Sequence, residues 1–186
     1  MRRNLPLILV LLALASAALA YYELRIREVI PDVPFVVTPP GVVDRMLEVA
    51  GVTKDDVVYD LGCGDGRIVI AAAKKCGCKA FGFEIDPDLV SESRTNAECA
   101  GVGDLVTIQR ADIFEVDLRP ASVVTLFLSV PVNARLIPQL QLLRPGSRIV
   151  SFAFHMPGIK PRQVFEEDID GKRQRIYLWV TPLGKE

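Results

Sequence analysis

From residue 41 the apolar positions fall at helical spacing. In "GVVDRMLEVAGV", Val42, Val43, Met46, Leu47 and Ala50 share one face. Gly51 is a natural stop, and Thr38 followed by Pro39 predicts the cap and first position of this helix. Past Asp55 the pattern changes to short apolar runs alternating with helical segments. "DVVYDL" (56–61), "KAFGFEI" (79–85), "LVTIQR" (105–110), "ASVVTLFLSV" (121–130) and "SRIVSFAFH" (147–155) predict strands. Between them, "GRIVIAAAKKCG" (66–77), "DPDLVSESRTNAECAG" (86–101) and "NARLIPQLQLL" (133–143) predict helices. Asp86 with Pro87 opens the second of these, and Pro138 predicts a kink in the third. Two last strands, "RQVFEEDI" and "RQRIYLWVTP", flank Asp170-Gly171, which reads as a hairpin turn.

The central runs are too apolar to keep one face in water. Strand–helix alternation with such runs predicts an α/β fold, a doubly wound parallel sheet covered on both faces, with an antiparallel C-terminal hairpin at one edge. A chain of 186 residues fits one such domain, and no repeat or low-complexity tract interrupts it. The organisation expected is residues 1–20 as a signal peptide or membrane anchor, 21–40 as a Pro-rich linker and pre-motif segment, and 41–186 as the folded domain. The first twenty residues, "MRRNLPLILVLLALASAALA", place Arg2 and Arg3 before an apolar run that ends in Ala18-Leu19-Ala20, a small-x-small cleavage pattern. The run over residues 5–22 also suits a short uncleaved anchor.

Charge is balanced, 22 Lys+Arg against 23 Asp+Glu, so no basic excess grips nucleic acid and none is expected as a partner. Four cysteines and a lone His155 lack the paired spacing of a zinc site, and no metal is expected.

The candidate chemistry lies in "YDLGCGDGRIVIAA". Gly62, Gly64 and Gly66 join the first strand to the next helix, where ligands of open α/β sheets bind. A dinucleotide loop has the spacing G-x-G-x-x-G; here position 67 is Arg67, and Asp60 and Asp65 have the wrong sign for a pyrophosphate. A ligand with an amino group and a sulfonium meets neither objection, and S-adenosylmethionine has both. Glu84 ends the second strand about twenty residues later, where a carboxylate accepts from ribose hydroxyls. Asp112, after the third strand, is placed either for an adenine amino group or as a turn residue. Asp65 is a cofactor residue or a helix cap; Arg67 pairs with an acid, meets the methionine carboxylate or lies in solvent.

The segments "VPFVVTPPGVVDRMLEVAGV", "DVVYDLGCGDGRIVIAAAKK" and "RADIFEVDL" resemble the class I S-adenosylmethionine-dependent methyltransferases. More narrowly, they resemble small bacterial members related to the mitochondrial lysine methyltransferases of the ATP synthase c subunit and the adenine nucleotide translocase. The resemblance runs from about Val33 to Pro157. It implies a Rossmann-like seven-stranded sheet with the last strand antiparallel, and S-adenosyl-L-methionine as cofactor. It puts Asp60, Gly62, Gly64, Glu84 and Asp112 on the cofactor, with Cys63, Asp65 and Gly66 completing the loop. The acid-or-Asn-Pro-Pro-Tyr motif of nucleic-acid and glutamine methyltransferases is replaced by "LSVPVN" at 128–133, which argues against adenine or glutamine as acceptor. The expected activity is protein-lysine N-methylation. The alternatives are a small-molecule or lipid-like acceptor, or a non-catalytic S-adenosylmethionine-binding module. Ser129, Asn133 and His155 are the polar candidates near the methyl group, with Leu128, Val130, Phe152 and Phe154 as apolar walls. Mitochondrial relatives carry an N-terminal membrane segment, so the expected placement is an anchor at 5–22 with a cytoplasmic catalytic domain. The alternative is export with cleavage after Ala20.

Overall fold

A computed structural model describes residues 13–16, 32–169 and 171–185. The expected signal or anchor lies outside the described residues, apart from 13–16, which are helical. Among the described residues no helix is long and apolar enough to cross a membrane. The chain divides into residues 1–31 and 32–186, and the second unit holds the fold described below.

Its elements are α1 (Pro40–Ala50), β1 (Val57–Leu61), α2 (Arg67–Cys76), β2 (Lys79–Glu84), α3 (Pro87–Cys99), β3 (Val106–Arg110), β4 (Val123–Leu126), α4 (Val130–Leu140), β5 (Arg148–Phe152), β6 (Gln163–Ile169) and β7 (Lys172–Val180). The seven strands form one sheet in the order β3-β2-β1-β4-β5-β7-β6. β1 to β5 pair in parallel, and β7 runs antiparallel between β5 and β6. The register Ile169↔Lys172 leaves a two-residue hairpin connection, as the sequence predicts.

Because strand side chains alternate, each strand feeds two cores. Val58 of β1 packs with Met46, Val69, Val90 and Ile108 under α1, α2 and α3. Tyr59 and Leu61 face the other way, with Phe83, Leu126, Leu136, Ile149 and Trp179 under α4. Trp179 is buried, and its indole N–H donates to the Ile159 carbonyl at 3.1 Å, so the aromatic bulk carries no orphaned donor. At the opposite end of the sheet from the glycine loop, Arg148 pairs with buried Asp56, which also accepts from the Ser122 hydroxyl at 2.6 Å.

Four boundaries differ most from the sequence reading. Helix α1 begins at Pro40 with Pro39 at the cap position and no side-chain cap; Thr38 is buried one residue upstream. β4 has four residues because the chain leaves the sheet after Leu126. Ser129 is extended and caps α4, which therefore starts at Val130, with Pro131 in the first turn where its missing N–H is harmless. β5 ends at Phe152 because Ala153 has φ +63°, a left-handed conformation that turns the chain out of the sheet.

Candidate functional site

The order β2-β1-β4 makes β1 the topological switch point, and the glycine loop leaves its carboxyl end there. Gly62 and Gly64 have φ +74° and +53°, a region in which side chains are strained. Space forbids a side chain as well. A Cβ on Gly62 would lie 2.8 Å from a Leu128 methyl, and one on Gly64 would lie 2.2 Å from the Phe35 ring. The loop is pinned by the amides of Gly62 and Cys63, which both donate to the Phe83 carbonyl at 2.9 and 3.0 Å. From α3, the Asn96 side chain donates to the Asp65 carbonyl at 3.0 Å.

Two buried carboxylates face this loop. Asp60 is 2% exposed and accepts from the Thr125 hydroxyl at 2.6 Å. Burial raises its pKa from 3.8 to about 7; the Thr125 bond opposes this, and the charges of Glu84 and Asp65 add to it. Glu84 is 7% exposed. One of its oxygens accepts from the Gly64 amide at 2.9 Å, and the other from the amides of Ile85 and Asp86 at 2.8 and 3.0 Å. It is therefore a clamp between β2 and the glycine loop. Glycines that leave no room for a side chain and buried acids beside them fit a cationic ligand held close to backbone. S-adenosylmethionine meets that requirement, with Asp60, Glu84 and the bare glycine backbone of the loop as the groups to hold it.

The remaining sequence-predicted cofactor residues divide. Asp65 is ion-paired with Arg67, whose Nε donates to Asp65 Oδ1 at 2.9 Å; against the burial that would raise it, these bonds hold the Asp65 carboxyl below its ordinary value. Arg67 also donates to the Thr38 carbonyl at 2.8 Å, so of its three sequence readings the structure favours the neighbouring acid. Gly66 occupies the cap position of α2. Cys63 turns its thiol into the core against Gly82, where a Cβ would lie 2.6 Å from the sulfur. Burial pushes that thiol's pKa strongly up, so it stays neutral. Asp112 is exposed and accepts from the Phe114 amide at 2.9 Å, closing a turn. It lines a cavity of about 640 Å³ with Tyr59, Phe83, Gln109 and Val116, on the sheet face that carries Tyr59.

Across β1, the ends of β4 and β5 form the other wall. The Phe127 ring lies 4.8 Å from that of Phe152 and 6.1 Å from that of Phe154, the latter pair nearly parallel. Leu128 is buried beside Gly62. Ser129 is engaged as the α4 cap. Asn133 is fully buried beneath the 153–155 loop: its amide nitrogen donates to the carbonyls of Phe154 and His155 at 3.1 and 3.4 Å. Ser151 supports the same loop, donating to the Phe154 carbonyl at 2.6 Å. Among the described residues the Asn133 oxygen has no hydrogen-bond partner. His155 is exposed, its ring 6.2 Å from Tyr177.

Sequence reasoning missed Thr125, Asn96 and Phe35. Thr125 bonds Asp60 at the end of β1, while Asn96 and Phe35 reach the loop itself from parts of the chain distant in sequence, and no local pattern announces these contacts.

Residues 60–163 match the ANTKMT methyltransferase domain. The chain is 46% identical over 153 residues to a protein-lysine N-methyltransferase of Saccharolobus islandicus, covering 81% of this chain and 95% of that protein. It is 34% identical to the adenine nucleotide translocase lysine N-methyltransferase of Mus musculus, over 90% of this chain and 77% of the relative. Among solved structures, it resembles an RNA methyltransferase from Salinibacter ruber in complex with S-adenosyl-L-homocysteine, with a TM-score of 0.75 and 49% identity. That likeness covers 79% of this chain and 94% of the other.

Proposed function

The chain belongs to the ANTKMT methyltransferase family and uses S-adenosylmethionine, and from that premise we propose that its acceptor is the ε-amine of lysine in a protein. The observation that carries this reading is the aromatic cluster of Phe127, Phe152 and Phe154 at the carboxyl ends of β4 and β5, the strands that follow β1 in the sheet. A lysine attacks only when neutral, and at its ordinary pKa of ~10.4 reaching that state at pH 7 costs about 4.6 kcal/mol. An apolar wall lowers that cost by disfavouring the charged amine. The 46% identity with a lysine methyltransferase supports the same acceptor.

When bound, S-adenosylmethionine supplies an electrophilic methyl group. The chain's own residues hold and align. Asp60 and Glu84 would hold the donor's cationic and hydroxyl groups, and Phe152 and Phe154 would exclude water from the amine. Asn133 shapes the 153–155 loop from below as a positioning residue. The amine nitrogen would bond the methyl carbon as that carbon's bond to sulfur breaks, leaving the electron pair on the neutral thioether of S-adenosylhomocysteine, and would lose its proton to water; alignment of the two groups is the main catalytic contribution.

A second reading, RNA as acceptor, has the description of the Salinibacter ruber structure in its favour. The formal net charge of −1 opposes it. Incubation of a cell extract with radiolabelled S-adenosylmethionine separates the readings. Label removed by protease and resistant to ribonuclease is expected; label removed by ribonuclease contradicts the lysine acceptor, and no label at all favours a binding module.

For localisation, an anchor at residues 5–22 with the catalytic domain on the cytoplasmic side keeps the enzyme where its cofactor is made. Reporter fusions at both ends test it: a C-terminal reporter active only outside the cytoplasm favours export instead.

A further inference from the structure

We propose that Phe35 is a cofactor-binding residue that closes over the amino-acid end of S-adenosylmethionine. Residues 33–38 form a strap without helix or strand, tied down at both ends. Beside its first residue, Asp32 accepts from Arg135 of α4 at 3.0 Å, and Val33 packs into the core under that helix. At the other end the Thr38 carbonyl accepts from Arg67 of α2 at 2.8 Å, and Arg67 is itself clamped on Asp65. The two helices cover opposite faces of the sheet. The strap therefore crosses its carboxyl edge at the switch point, and Phe35 sits in the middle of the crossing.

The ring lies against Gly64, with Cε2 and Cδ2 at 2.2 and 2.6 Å from where a Cβ would stand. Yet the residue is 46% exposed, so only part of the aromatic surface is used. Pro34, Pro39 and Pro40 restrict the backbone and hold the ring there at little further entropic cost. The ligand's parts have an order along this edge. Asp112 follows β3, Glu84 ends β2, and the glycine loop follows β1. A ribose at Glu84 and a base toward β3 leave the amino-acid end at the glycine loop, under Phe35. That end carries an ammonium group, which an aromatic face attracts.

The inference rests on the cofactor and not on the acceptor, and the test is read without any acceptor, so a wrong acceptor leaves it unaffected. Three ligands are titrated by calorimetry or competition: S-adenosylmethionine, S-adenosylhomocysteine, and 5′-methylthioadenosine, which lacks the amino-acid end. In Phe35→Ala the first two are expected to bind about tenfold more weakly and the third to change by less than about twofold. Phe35→Tyr, which keeps the ring, is expected to bind all three like the wild type. Apo melting curves of both variants establish that they fold. Equal weakening of all three ligands, which marks a strap that merely supports the fold, overturns the assignment, and so does unchanged binding of the first two.

Discussion

Asp60 is the residue whose protonation should be visible from outside. Burial raises its pKa from 3.8 to about 7, so the folded apo protein holds a proton there that the unfolded chain releases near pH 4. The stabilisation is therefore fully present below about pH 4 and is lost as pH rises through about 7. Melting of the apo protein, compared with Asp60→Asn, should show the wild type losing stability from about pH 4 to 7 and levelling off above. A cationic ligand favours the ionised form, so cofactor affinity should rise by up to about tenfold per pH unit below pH 7 and flatten in Asp60→Asn. At the acceptor side, Asn133→Ala removes the support of the 153–155 loop. Its turnover should fall while calorimetric cofactor affinity stays as in the wild type; equal turnover would remove Asn133 from the positioning of the site. The sequence singled out Asp60 by its place before the glycines. It could not reveal Thr125, the partner of Asp60 across the β1–β4 pairing, because a threonine inside an apolar run carries no local signal.

At the scale of elements, the glycine loop and the strap over it are fitted to each other. Gly64→Ala adds a methyl group at φ +53° and drives it into Phe35, so destabilisation by roughly 1–2 kcal/mol from the backbone alone is expected. Part of the total cost should vanish in the Phe35→Ala background, and a double-mutant cycle on the apo protein measures that coupling at roughly 0.5–3 kcal/mol. Additive losses would mean that ring and loop do not press on one another. Glu84 was legible because its distance from the loop is fixed by one helix and one strand. Its clamp on the Gly64 amide was not, since that bond depends on how closely the loop folds back on β2. Glu84→Ala should weaken the cofactor about ten- to a hundredfold, and Glu84→Gln less, because one amide-accepting oxygen survives; calorimetry of both variants checks this. The ends of β4 and β5 were the least legible elements. Apolar residues continue past each strand, and what stops them is a cap at Ser129 and a left-handed turn at Ala153. Neither leaves a mark in the hydrophobic pattern.

For the whole molecule, alternation of apolar strands with amphipathic helices was enough to give the sheet, its parallel core and the reversed C-terminal strand. Such patterns reflect burial on both faces, which every strand of the core shares. The acceptor is a different matter, because it depends on the shape left open at one edge. There the near-neutral charge, the aromatic wall and the lysine methyltransferase relatives converge on a protein amine. The most direct test incubates the purified full chain with S-adenosylmethionine and extract, then identifies the modified residues by peptide mass spectrometry and acid hydrolysis. Methyl groups on lysine ε-amines, absent when Asp60 and Glu84 are both replaced by alanine, are the expected result. Methyl groups found only on RNA or on small molecules would contradict the account.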